Sequence, residues 1–115
     1  MNYSYIYKSK TNTVYMEVKI QIEQKTVTVT LIGRLDTPAS LDVAKEMESL
    51  KSEASKTIVL DCTQMSYISS SGLRIFLTLR KNAAAQGGRV VIRGLSNDVR
   101  SVFMMTGFLN LFEFE

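Results

Sequence analysis

The sequence predicts one α/β domain, a mixed β-sheet with helices packed against it, in the order β-β-α-β-α-β-α-β. Met16 to Leu31 holds two runs that alternate apolar and polar residues with period two, the pattern of strands with one buried face. Thr57-Ile58-Val59-Leu60 and Val90-Val91-Ile92 are short β-branched, apolar runs suited to buried strands. Between and after these runs, apolar residues recur at helical spacing, and strands separated by single helices imply parallel, right-handed crossovers. A chain of 115 residues supports one hydrophobic core rather than two.

Residues 1–15 are polar and irregular, with Tyr3, Tyr5 and Tyr7 at alternate positions, and read as a loosely attached arm ahead of a domain spanning 16–115. Met16, Val18, Ile20 and Ile22 alternate with Glu17, Lys19, Gln21 and Glu23; Val27, Val29 and Leu31 then alternate with threonines. The polar break at Gln24-Lys25 predicts an antiparallel hairpin. Thr37 before Pro38 reads as an N-cap with proline in the first helical position. A helix follows over about 39–53, with Val43, Met47, Leu50 and Ala54 on its inner face. The apolar strand at 57–62 comes next, then a helix whose inner stripe is Leu73, Phe76, Leu77, Ala83 and Ala84 and which stops at Gln86-Gly87-Gly88. Its other face groups Arg74, Thr78, Lys81 and Asn82. After Val90-Val91-Ile92, Ser96 or Asn97 caps a third helix with Val99, Val102 and Phe103 inside, and 109–114 closes as a strand.

Composition narrows the function classes. Hydrophobic residues make up 45% and charged residues 22%, ordinary for a globular protein, and no apolar run reaches the length of a membrane span. There is no apolar segment of a secretory signal, so direct membrane insertion is not expected and a cytoplasmic location is. The net charge of +3 owes two units to Lys8 and Lys10, and the other cations are interleaved with acids, which is no footprint for nucleic acid. Histidine is absent, which removes the usual general base and nitrogen metal ligand. Neither cofactor nor resident metal is expected; Asp36 and Asp61 alone are too few and too far apart for a cation site, and structural roles at strand ends suit them better. The lone Cys62 reads as a small buried hydrophobe.

The stretch with chemistry is Tyr67-Ile68-Ser69-Ser70-Ser71-Gly72-Leu73-Arg74, where a hydrophobic run gives way to three hydroxyls and then to a helical pattern. Backbone N–H groups at a helix start lack partners inside the helix, so this place suits an oxygen acceptor or an added anion. One serine serves as N-cap in the simplest reading. A nucleophilic serine enzyme is not expected: no histidine and no G-x-S-x-G elbow surround these hydroxyls, and of the lysines conceivable as bases, Lys56 and Lys81, the second should point outward along the helix.

Four segments in this order and spacing resemble the STAS domain family, and within it the bacterial anti-sigma-factor antagonists. Leu31-Ile32-Gly33-Arg34-Leu35-Asp36 is similar to the family's strand-ending L-x-G-x-L-D, and Ile58-Val59-Leu60-Asp61 to its central strand. Ile68-Ser69-Ser70-Ser71-Gly72-Leu73 resembles its hydrophobic-D-S-S-G-L signature, with Phe103-Met104-Met105-Thr106-Gly107-Phe108 similar to the end of its third helix. The resemblance covers nearly everything after Met16 and implies a STAS-like mixed sheet.

The resemblance also implies a function. In that family the antagonist binds an anti-sigma factor that is itself a serine kinase, and so frees the sigma factor; phosphorylation of the serine after the signature aspartate breaks the complex, and a phosphatase resets it. The matching acceptor is Ser70, with Ser69 and Ser71 as alternatives, and Asp36, Thr37, Ser66, Ser69, Gly72, Leu73 and Arg74 fall in the implied partner-binding region. Ser69 stands where the family carries aspartate, which opens an alternative: a STAS subunit of a transporter or multi-protein scaffold, with no phosphate cycle.

Overall fold

The computed structural model describes residues 2–8 and 14–115. Of the expected arm, Met1 and residues 9–13 therefore lie outside the described residues. The chain runs β1 (Asn2–Lys8), β2 (Val14–Ile22), β3 (Thr26–Leu35), α1 (Thr37–Met47), a 3-10 segment (Glu48–Glu53), β4 (Thr57–Ile68), α2 (Ser70–Ala85), β5 (Arg89–Arg93), α3 (Asn97–Met105), a 3-10 turn (Leu109–Leu111) and β6 (Glu113–Phe114). From β2 onward this is the expected order. β1 is a strand the periodicity did not predict, and it pairs antiparallel with β2, Tyr3 opposite Ile20 and Tyr7 opposite Met16.

The strands form one six-stranded sheet in sequence order, antiparallel across β1-β2-β3 and parallel from β3 to β6. The β2–β3 register sets Val18 opposite Leu31 and Ile20 opposite Val29, so both apolar sets fall on one face. That face and the inner stripes of all three helices share a single buried core. Phe76, Phe103 and Phe112 meet there with ring centroids 5.9–6.4 Å apart, tilted or edge to face, the arrangement that aromatic quadrupoles favour. On the opposite face of β4–β6 the buried register partners Val59 and Val91 are flanked by ion pairs, Arg89 to Glu113 and Arg93 to Asp61 and Glu115.

Several element ends depart from expectation for local reasons. The cap of α1 is Asp36 rather than Thr37, because the Asp36 carboxylate accepts from the Ala39 N–H at 3.0 Å; Thr37 is then the first helical residue and Pro38 the second, where no helical N–H partner is lost. The expected single helix over 39–53 tightens to 3-10 geometry at Glu48, where the Ser49 hydroxyl takes the Glu46 carbonyl at 2.8 Å. On α2, Ile75 and Leu79 belong to the buried stripe, while Ala84 is exposed and Leu77 half-buried. The closing strand is only Glu113–Phe114, since 109–111 turn as 3-10. Ser96 caps α3 as expected, accepting from Val99 N–H.

β4 runs to Ile68, well past the apolar stretch at 57–62. Its register with β3 shifts between Thr30 and Ile32 and again between Gly33 and Arg34. Gly33 sits at the second irregularity with φ 106°, a conformation that disfavours any side chain. These shifts bring the ends of β3 and β4 level, with Leu35 beside Ile68.

Candidate functional site

Because β3 and β4 are parallel neighbours that end level, the helices they feed begin at the same edge of the sheet, as ligand and partner sites of parallel sheets commonly do. The Ser69 N–H donates to the Leu35 carbonyl at 2.9 Å, fastening the start of α2 to the end of β3. Asp36 holds the start of α1: its carbonyl accepts both the Ser40 N–H at 2.9 Å and the Ser40 hydroxyl at 2.7 Å. Ser40 Oγ also lies 3.4 Å from Ser69 Oγ. Since the single Ser40 hydroxyl proton goes to Asp36, Ser69 is the donor across that long contact. Ser40 and Ser69 are the buried polar residues of the described chain, so this pair links the two helix starts beneath the surface.

The three consecutive serines have three different surroundings. Ser69 is the N-cap of α2, 6% exposed and extended in backbone, and its Oγ accepts from the Gly72 N–H at 3.1 Å. Ser70, the first helical residue, is exposed. Ser71 is half-buried and lines a groove of about 320 Å³ between α1 and α2. Ser70 is thus the most exposed of the three, at a helix start whose first N–H groups lack intrahelical partners.

The other expected partner-binding residues divide in the same way. Thr37 and Ser66 are exposed, with the Ser66 hydroxyl on the Gly33 carbonyl at 3.2 Å, and Asp36 is half-buried in its capping role. Arg74 is exposed at the groove. Gly72 and Leu73 do not offer side-chain contact: Gly72 is buried where a Cβ would meet Ile68 and Leu35, and Leu73 is 1% exposed in the core. Apolar helical spacing places Leu73 inside, so its nearness to the serines in sequence does not bring it to the surface.

Sequence reasoning passed over two features of this edge. Leu41 is 68% exposed on the polar side of α1 and lines the groove; an apolar residue among Asp42, Lys45 and Glu48 was the available signal. The Arg34 guanidinium lies 4.3 Å from the Tyr67 ring centre, joining register partners on β3 and β4 beside the site. Of the lysines weighed as bases, Lys56 is held by Glu53 and the Glu23 carbonyl, and Lys81 lies eleven residues past Ser70, about 16 Å along the helix. No cluster of metal-ligating side chains occurs among the described residues, where Asp61 instead accepts from Thr63 and faces Arg93. No helix of the described chain is long and apolar enough to cross a membrane.

Comparison with known proteins places this geometry. A model of the STAS domain matches residues 17–115. BtrV of Bordetella bronchiseptica, a candidate anti-sigma factor antagonist by name, is 32% identical over 82 residues, 71% of this chain and 71% of its own. The unphosphorylated anti-sigma factor antagonist SpoIIAA superposes with a TM-score of 0.73 at 23% identity, over 85% of this chain and 87% of that one. The phosphorylated form of SpoIIAA, a Bacillus cell fate determinant, gives 0.66 at 22% identity, over 85% and 90%. At these identities the structural likeness establishes the fold.

Proposed function

The chain belongs to the STAS domain family, and on that premise we propose that it is an anti-sigma-factor antagonist, a binding module switched by phosphorylation of Ser70. In this reading the unmodified protein binds a cytoplasmic anti-sigma factor with serine-kinase activity and releases the sigma factor; a phosphatase returns the phosphoserine to serine. The observation that carries the choice of acceptor is the division among the hydroxyls: Ser69 is buried and occupied as a cap, Ser71 is half-buried, and Ser70 is exposed. The same division answers the missing aspartate, since Ser69 performs the capping that a carboxylate at that position would perform.

The physics of the switch follows from where the charge lands. A phosphate adds about −1.5 to −2 charges at neutral pH. Beside a helix N-terminus an added negative charge is favourable by roughly 0.3–1 kcal/mol, so the isolated domain keeps its fold. Within an interface the same charge must lose water or face a partner carboxylate, at a cost above ~3 kcal/mol, which weakens binding more than about a hundredfold.

The test is mass spectrometry of the tagged protein recovered from its native cells, reading bound partners and the modification state of the Ser66–Arg74 peptide. The proposal expects a kinase-like anti-sigma factor and phosphate on Ser70, with Ser70→Asp abolishing co-purification. Recovery of transporter or scaffold subunits, with the serines unmodified and Ser70→Asp silent, would overturn it.

A further inference from the structure

The groove between α1 and α2 opens at the same edge as Ser70 and has a definite chemistry. Its volume of about 320 Å³ is within the range of ligand clefts, roughly 300–1,000 Å³. Met47, Ile75 and Leu79 are buried along it, Ala44 is small and exposed, and Leu41 stands at the rim. The charges at its two ends differ. Lys51 is neutralised by Glu48 at 3.0 Å, whereas Arg74, exposed beside Ser71, has no carboxylate at ion-pair distance among the described residues. The positive ends of the α2 peptide dipoles add to the uncompensated charge at that end.

An apolar trough between helices, with one unpaired guanidinium where it meets the phosphoacceptor, matches the mode in which an amphipathic helix lays apolar side chains at i, i+3 or i+4 into a groove. Resting on the antagonist reading, we propose that the groove receives an amphipathic helix of the anti-sigma factor, apolar residues seated on Leu41, Met47 and Ile75 and one Asp or Glu paired with Arg74. Ser70 and Arg74 are four residues apart on one helix and therefore neighbours on its surface. A phosphate on Ser70 takes the Arg74 guanidinium for itself, since charge-assisted pairing of arginine with phosphate is strong, and the partner's carboxylate is left facing a like charge. Arg74 is thus shared between two states, paired across the interface in one and within the chain in the other.

The test titrates the purified anti-sigma factor, without ATP, into the full chain and five variants: Leu41→Asp, Arg74→Ala, Ser70→Asp, the double variant Ser70→Asp/Arg74→Ala, and Met105→Asp on α3 as a control at a position 86% exposed and away from the groove. Leu41→Asp and Arg74→Ala are each expected to raise Kd at least tenfold, about 1.4 kcal/mol, and Met105→Asp to leave it within twofold. Ser70→Asp is expected to cost less in the Arg74→Ala background than in the wild type, because the shared partner is already gone. Because Leu41 and Arg74 are exposed, unchanged thermal unfolding accompanies these losses. If the wild type binds and Ser70→Asp weakens it, yet Leu41→Asp or Arg74→Ala binds as the wild type does, the groove is overturned and the antagonist reading stands. If the wild type itself does not bind, both fall.

Discussion

Replacing Ser69 and Ser70 separately by alanine separates the two roles assigned to adjacent hydroxyls. Ser69 Oγ accepts from the Gly72 N–H at 3.1 Å in a site 6% exposed, so in Ser69→Ala that N–H loses its acceptor and water has little access to replace it. Loss of a serine N-cap costs about 0.5–2 kcal/mol, typically near 1. With an unfolding entropy near 2.1 cal/mol/K per residue, 115 residues give roughly 0.24 kcal/mol/K, so 1 kcal/mol lowers Tm by about 4 °C. Ser70 is exposed at the first helical position, where alanine is also a good helix former; Ser70→Ala is expected to stay within ~2 °C of the wild type. Calorimetric unfolding at pH 7 of the three proteins, side by side, reads both numbers. A silent Ser69→Ala together with a destabilised Ser70→Ala would assign the cap to the wrong hydroxyl and remove the argument that Ser70 is the one left free.

Gly88→Ala sets a Cβ against the backbone of Ala54 to Lys56 and is expected to cost roughly 1–3 kcal/mol or more, read as a lower urea midpoint at unchanged m; a stable variant would mean that this close approach is absent. Phe103→Ala opens the aromatic cluster with Phe76 and Phe112 and is expected to lose about 3–5 kcal/mol, whereas a loss under ~1 kcal/mol would show that the cluster is not packed as described. Burial, with a smaller push from Asp61, holds the Cys62 thiol at a pKa of about 12 against the usual 9.0. Below pH 9 both states keep the proton and Cys62 adds no pH dependence; from about pH 9 to 12 only the unfolded state releases it, so stability falls as pH rises, by up to ~1.4 kcal/mol per unit. Urea midpoints from pH 8 to 11 should therefore fall more steeply in the wild type than in Cys62→Ala, and parallel curves would refute the assignment.

What the sequence made legible is what periodicity encodes. Val18, Ile20 and Ile22 opposite Leu31, Val29 and Val27 could be read as a hairpin because their apolar residues alternate with polar ones, while β4 and β5 were legible as short continuous apolar runs separated by helical spacing. β1 was not legible, since its alternate tyrosines lack the aliphatic weight that marks a core-facing strand. The second half of β4 was hidden for a different reason: Cys62, Met65 and Ile68 are buried at a spacing of three, which a bulged strand produces and a regular one does not. At the site, the residue pattern located the three serines and the family resemblance singled out Ser70, but their different surroundings were not legible, because Ser69, Ser70 and Ser71 are chemically identical and differ only in what tertiary structure leaves exposed. The cap on α1 went to Asp36 instead of Thr37 because both are competent caps and one residue of strand length decides between them.

The serine at position 69 changes the electrostatics of this edge more than its architecture. The starts of α1 and α2 are fastened together through Ser69 N–H on Leu35 and the buried contact between Ser40 and Ser69, so their positive dipole ends share one region. Asp36 already brings one carboxylate to it. An aspartate at position 69 would cap α2 equally well, but it would place a second negative charge in a site only 6% exposed, where like charges repel with little screening by water. A neutral serine keeps the cap and leaves the field of both helix starts less compensated. On the proposed reading, a phosphate on Ser70 would be the second negative group here, beside Asp36 alone, and would meet less repulsion than beside two carboxylates. The departure from the family signature therefore supports the proposed phosphate at Ser70 within the isolated domain; if the protein is phosphorylated there as proposed, a lower rate would arise in contact with the proposed kinase rather than in the stability of the product.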